Sequence, residues 1–343
     1  MQPESASYRG YHAYGYLEQG VDYADFKLAD QIGRVPAYDG GLSAEQDERV
    51  GRILAENIAI SLHEHAVVLP EDTGEIRAYN RTGRQRTAYE GLARSGLTAV
   101  FDNFMAGASC VTSENGWKWS DMIYALGFRL ADLAKQDFLT HATTVADIRA
   151  AKRDGRVALV AGLESSTMIE NELDRLDMLY GFGVRQMGIA YSQANQLGGG
   201  LAEPTNRMKP DEVIRACAER GGVIGLEAAP HTTLSDRHKS HSLESVMDHF
   251  VYCVDLVGID HVTFGPDTMF GDHVGVHNTY AGNYGHKQDP APEHPRVAYV
   301  DGLENPAENF TNIVGWLVRH DYSDDEIAKV IGGNTLRVLE HVW

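Results

Sequence analysis

The chain has little cysteine. Its 343 residues include three, Cys110, Cys217 and Cys253, an odd number at wide spacing, which argues against a disulfide framework or a cysteine metal knot and leaves them as small core residues. Positive charge is scarce as well: 30 lysines and arginines stand against 49 aspartates and glutamates, a net charge of −19. Such a surface repels phosphate backbones and anionic lipid, so neither nucleic acid nor a membrane is expected as a partner. No apolar run approaches the roughly 20 residues of a membrane span, and the opening MQPESASYRGYHAYGY lacks a basic start followed by an apolar core. The expectation is a soluble, cytoplasmic protein.

What is present is a globular composition, 43% hydrophobic and 23% charged, long enough for one decorated α/β barrel. Residues 1–42 are rich in Tyr and Gly without a sustained period and read as an extension lying on the barrel or on a partner subunit. Residues 43–343 read as one domain with a long loop at 271–306. The organising stretch is Asn57 to Asp72, NIAISLHEHAVVLPED. In a strand, residues two apart share a face, which puts Ala59, Ser61, His63 and His65 on one side and Ile58, Ile60 and Leu62 on the other. A parallel barrel strand has this form, with its polar end at the carboxyl rim where such barrels keep their chemistry.

Ser43 begins a helix that runs to Glu56, with Gln46 in capping-box position. Further helices are expected over Thr87 to Ser95, Trp117 to Lys135, Thr144 to Lys152, Glu170 to Tyr180, Asp211 to Arg220, Ser242 to Val257, Ala307 to His320 and onward from Asp324. Strands are expected at Leu97 to Met105, Val157 to Glu164, Val184 to Tyr191, Gly222 to Ala228 and His261 to Asp267. The alternation argues for a parallel sheet. With the histidine strand this makes six, where a closed (β/α)8 barrel needs eight. At about 30 residues per unit the shortfall is roughly 60 residues, and it falls near Leu201 to Asn206.

Four polar strand ends would meet on one rim: His63 and His65, Glu164, and Asp267. Two imidazoles and two carboxylates suit a borderline divalent ion such as zinc, which lowers the pKa of a bound water toward 7. The glycines Gly198 to Gly200 do not sit in a GxGxxG frame between strand and helix and read as turn residues.

The motifs GLESST at 162–167, LDMLYGFGVRQMGIAYSQAN at 176–195, RMKPDEV at 207–213, AERGGVIGLEAAP at 218–230, VGIDHVTFGPDTMFGDH at 257–273 and GGNTLRVL at 332–339 resemble the renal-type (membrane) dipeptidases, peptidase family M19 of the amidohydrolase superfamily. The resemblance covers nearly all of Glu56 to Trp343. It implies a TIM-type metallo-hydrolase barrel that cleaves dipeptides with zinc, two ions in the family. His63 and His65 would bind the first ion and Glu164 would bridge to the second. Asp267 would handle a proton or the substrate amino group, and Tyr191, Asn195 and Arg207 would contact substrate, Arg207 through its carboxylate. His65 stands where the family usually has Asp, and Tyr191 where many members have His.

The two histidines that complete the second metal lie, in the family, on the fifth and sixth strands, which have no counterpart between Leu201 and Arg207. If the chain is continuous there, the resemblance implies a gapped barrel with at most one metal and weak dipeptidase activity. A catalytically impaired binding protein and an amidohydrolase for another amide or lactone are the alternatives, and a homodimer is one expected assembly. The 271–306 stretch is expected to cover the site, with His273, His277, His286 and His294 on the surface.

Overall fold

Ser43 shows how closely the local chemistry is obeyed: its Oγ accepts from the Gln46 amide and the Gln46 side chain accepts from the Ser43 amide, 3.2 and 2.9 Å. This closes the first turn of α1 (Ala44–Glu56). Val50, Ile53 and Leu54, at helical spacing, are buried, and α1 packs on α9 (Asn309–Arg319). The protein is seen here as a computed structural model that describes residues 7–103, 118–191, 195–199, 210–230, 232–280 and 297–343.

The strands are β1 (Ile60–Val68), β2 (Arg86–Thr87), β3 (Ala99–Asn103), β4 (Leu139–His141), β5 (Val157–Leu163), β6 (Val184–Met187), β7 (Ile224–Leu226), β8 (Val262–Phe264) and β9 (Met269–Phe270). Between them run α2 (Tyr89–Arg94), α3 (Trp119–Leu133), α4 (Val145–Arg153), α5 (Asp174–Gly181), α6 (Asp211–Glu219), α7 (Leu243–Val257) and α8 (His273–Thr279). After α9 come α10 (Asp324–Ala328) and α11 (Asn334–Val342). One sheet runs β2-β1-β3-β5-β4, with β6 also on β5 and β9 on β1, and a second pairs β7 with β8. The two meet at β1, where the Asp267 amide donates to His63 O and the His65 amide to Thr268 O, 3.0 and 2.9 Å. Glycine at 265 permits that approach, since a Cβ there would stand 2.8 Å from the His63 nitrogen. Six parallel strands, β7, β8, β1, β3, β5 and β6, therefore curl into a partial TIM barrel, open between β6 and β7 among the described residues.

Several sequence expectations need correction. β4 is a further strand, too short at three residues to stand out. The strand from Val184 ends at Met187 rather than Tyr191, the one from Gly222 is only Ile224–Leu226, and the helix expected from Glu170 begins at Asp174. Glu170 and Asn171 have φ of 52° and 64°, which no right-handed helix accommodates. The faces of β1 also differ from strict alternation. The register with β3 shifts between Ser61 and Glu64, an irregularity that changes which side the following residues face. Ile60 consequently packs with Phe101, Ala158 and Val160 on the face that leads to Glu164, while Ala59 joins Val100, Leu159 and Ala161 on the other. Cys253 is buried and Cys217 half-buried, both as free thiols, while Cys110 lies outside the described residues.

Helices cover both faces. Ile148 and Ala151 of α4 and Leu336 and Leu339 of α11 pack on the Ile60, Phe101 and Val160 side, each large apolar side chain contributing about 1.5–3 kcal/mol by leaving water. The N-terminal residues lie on the barrel, with Tyr14 buried. The break expected at Leu201 to Arg207 lies outside the described residues.

Candidate metal centre

Three strands build the site, and the histidines stand inside β1, which runs on to Val68, rather than at its end as the sequence suggested. β1 brings His63 and His65 across its register shift, β5 delivers Glu164 one residue past its last paired position, and the turn after β8 presents Asp267. His63 Nε2 lies 2.7 Å from Glu164 Oε1 and 3.3 Å from Asp267 Oδ1, and His65 Nε2 lies 3.1 and 3.2 Å from the same two oxygens. One donor atom from each of the four residues lies within 4.8 Å of all the others. Tetrahedral ligands about 2.0–2.1 Å from a common ion sit roughly 3.3 Å apart, and the four histidine–carboxylate distances, 2.7–3.3 Å, lie at or a little below that spacing.

The donor chemistry agrees. Glu164 Oε2 is buried without a hydrogen-bond partner among the described residues, a costly arrangement for a carboxylate unless a cation faces it. Burial pulls the His65 imidazole down, but Asp267 and Glu164 outweigh it and push it up to about 10; His63 is likewise raised. Burial would raise the two carboxyls, yet the adjacent imidazoles hold Asp267 well below its ordinary value and lower Glu164. Such a set favours positive charge between its donors, and a divalent cation would compete with protons for it. The residues present fit such an ion.

Neighbours fix the orientation of these groups. His65 Nδ1 faces Asn103 O at 3.2 Å, a contact that holds the ring with Nε2 toward the carboxylates. Gly188 donates to Leu163 O at 2.6 Å, and a Cβ there would stand 2.0 Å from Glu164 O. Only glycine lets β6 support the Glu164 backbone so closely.

The remaining sequence candidates are not among the four donors. Tyr191 is half-buried against the cluster of Val67, Leu69 and Met269. Asn195 donates to Ile189 O at 2.6 Å and to Ser166 and Thr167 oxygens at 3.3 Å, tying two loops near Glu164 together rather than touching the four donors. Arg207 lies outside the described residues. The expectation that the histidines after Asp267 are surface groups is wrong for two of them. His273 and His277 are buried on one face of α8, their Nε2 atoms 3.1 Å apart, and burial pushes His273 down to about 4. Their spacing of four on a stretch with Val274 and Val276 was a readable helical signal. His286 and His294 lie outside the described residues.

Fold and donor set together define a class of architecture, a partial (β/α)8 barrel with a candidate metal centre. The profile described as Membrane dipeptidase (Peptidase family M19) matches residues 52–209 and 200–279, and the chain belongs to that family. It is 27% identical over 139 residues to Dipeptidase tcpJ of Claviceps purpurea, a match taking in 40% of this chain and 26% of that one. With Dipeptidase aclJ of Aspergillus oryzae it shares 26% identity over 164 residues, 47% of this chain and 32% of the relative. The matched stretch thus spans about a quarter to a third of these relatives' length. An amidohydrolase from Pseudomonas aeruginosa superposes with a TM-score of 0.63 at 17% identity, over 86% of this chain and 99% of that one. The probable dipeptidase PvdM of the same organism gives 0.62 at 15%, over 88% and 99%. At such identities the likeness is one of fold. No helix among the described residues is long and apolar enough to cross a membrane.

Proposed function

We propose that the chain is a zinc-dependent hydrolase of the peptide bond in dipeptides. The observation carrying this reading is the convergence of His63, His65, Glu164 and Asp267 donors within 4.8 Å, in a chain of the M19 family. A divalent ion, when bound, supplies a concentrated positive charge that polarises a carbonyl and makes an adjacent water more acidic. His63, His65 and Glu164 would hold it. Asp267, ionised and 3.2–3.3 Å from both imidazoles, would accept a proton at Oδ1 or take the substrate's amino group. Tyr191 would donate its phenol to the scissile carbonyl, Asn195 would fix the loop bordering the substrate, and Arg207 would bind the substrate carboxylate.

A second reading, a relative that binds ligand without turnover, is favoured by one observation. The described residues form a single donor cluster, whereas the family resemblance implies two ions. Chromatographic assay of a dipeptide panel with zinc-loaded and chelator-treated protein separates the readings. Chelator-sensitive cleavage is the expected result. Full zinc loading without cleavage of any dipeptide would contradict the dipeptidase reading, leaving another amide or lactone as substrate, and absence of both zinc and turnover would leave the binding protein.

A further inference from the structure

Asp267 has φ of 55°, a left-handed conformation that a non-glycine residue keeps only where its surroundings impose it. The residues around it show what does so. Behind it, its own amide donates to His63 O at 3.0 Å. Ahead of it, the next peptide is held by one carboxylate: Glu64 Oε2 accepts from the Thr268 amide at 2.8 Å and from Thr268 Oγ1 at 2.6 Å. Glu64 is itself fixed, since Oε1 accepts from Ser61 Oγ at 2.9 Å, and Asn309 Nδ2 donates to Thr268 Oγ1 at 3.0 Å. This glutamate lies between His63 and His65 in sequence, is 4% exposed, and is absent from the four-residue donor cluster.

We propose that Glu64 is a positioning residue for the metal centre: by gripping the Thr268 peptide it holds Asp267 in the left-handed turn that aims its carboxylate at His63, His65 and Glu164. The inference rests on the reading of those four residues as an ion site. One strand segment then serves the site twice, with histidines on one side and a clamp for the facing turn on the other.

The test is zinc or cobalt affinity by competition with a chromophoric chelator, with thermal unfolding in parallel. Removing an outer hydrogen-bond partner of a metal site weakens binding about 10- to 100-fold, and Glu64→Ala should fall in that range. Glu64→Gln should restore affinity to within about threefold, because its amide oxygen can still accept from Thr268 while Ser61 Oγ, turning its proton to His63 O at 3.3 Å, can accept from the new NH2. Thr268→Val, keeping the amide donor alone, should lie between. Ile53→Ala, buried on α1, should lower the unfolding temperature without changing affinity, separating positioning from general destabilisation. Wild-type affinity in Glu64→Ala, or equal loss in Glu64→Gln, overturns the clamp while leaving the ion site standing. If Glu64→Ala does not fold, wild-type affinity in Thr268→Val overturns it. Wild-type protein that binds no ion overturns the ion-site reading, and the clamp with it.

Discussion

Glu304 carries a pH dependence of its own. Burial pushes its carboxyl up to about 7, against hydrogen bonds from the Val300 and His273 amides and the pull of Arg34, whose side chain stays partly exposed and offsets only part of that cost. The folded chain therefore keeps a proton that the unfolded chain releases near the model-peptide value of about 4.3. Stability from this group is fully present below that value and is lost as pH rises to about 7. Urea denaturation between pH 5 and 8 should show wild-type stability falling more steeply than that of Glu304→Gln. Identical pH profiles would contradict the assignment. Legibility at this scale was uneven. Glu164 and Asp267 could be read because each follows the apolar run of a strand with a polar group, and His63 and His65 because they interrupt one at strand spacing. Glu64 could not, because its value lies in a hydrogen bond to Thr268, 204 residues away.

Among the elements, the N-terminal segment and the glycine beside Glu164 give the sharpest expectations. Asp132 of α3, fully buried, accepts from Tyr11 Oη at 2.7 Å, the Tyr14 amide at 2.8 Å and Tyr89 Oη at 2.8 Å. It is the anchor by which the extension lies on the barrel. Asp132→Ala strands those donors and should cost about 3 kcal/mol in chemical denaturation, with faster tryptic cleavage after Arg9 or Arg34; unchanged cleavage would show that the segment is held by other means. At β6, Gly188→Ala forces a methyl into Glu164 O and should destabilise by about 1–3 kcal/mol, with weaker ion binding. Gly51→Ala on α1, where an added Cβ meets nothing within 4 Å, should do neither. The capping box at Ser43 made the start of α1 readable, and the starts expected for α4 and α7 at Thr144 and Ser242 are within one residue of those observed, where the structure shows both residues closing capping boxes as well. The register shift in β1 was not readable, since it is a property of pairing with β3 and leaves no mark in the apolar pattern.

At the scale of the molecule, the spacing of strands and helices foretold the six strands that curl into the partial barrel, because each unit's length is set by covering one strand with one helix; the break expected near Leu201 to Asn206 lies outside the described residues. The pairing order was beyond that spacing. β4 lies on the same edge of β5 that β6 takes further along, pairing at Val157 to Leu159 while β6 pairs at Ala161 to Leu163. Only a three-dimensional register reveals that. The partial barrel nonetheless brings four donors, two from within β1 and one from beyond each of β5 and β8, to one place, and what matters is whether they hold an ion. The direct measurement is elemental analysis of divalent metal in protein purified without added metal, alongside Glu164→Gln. The account predicts at least one zinc per wild-type chain, and in the variant an affinity reduced by at least the roughly tenfold that loss of an outer partner costs. Wild-type protein carrying no divalent metal, and taking none up from micromolar zinc, would contradict it.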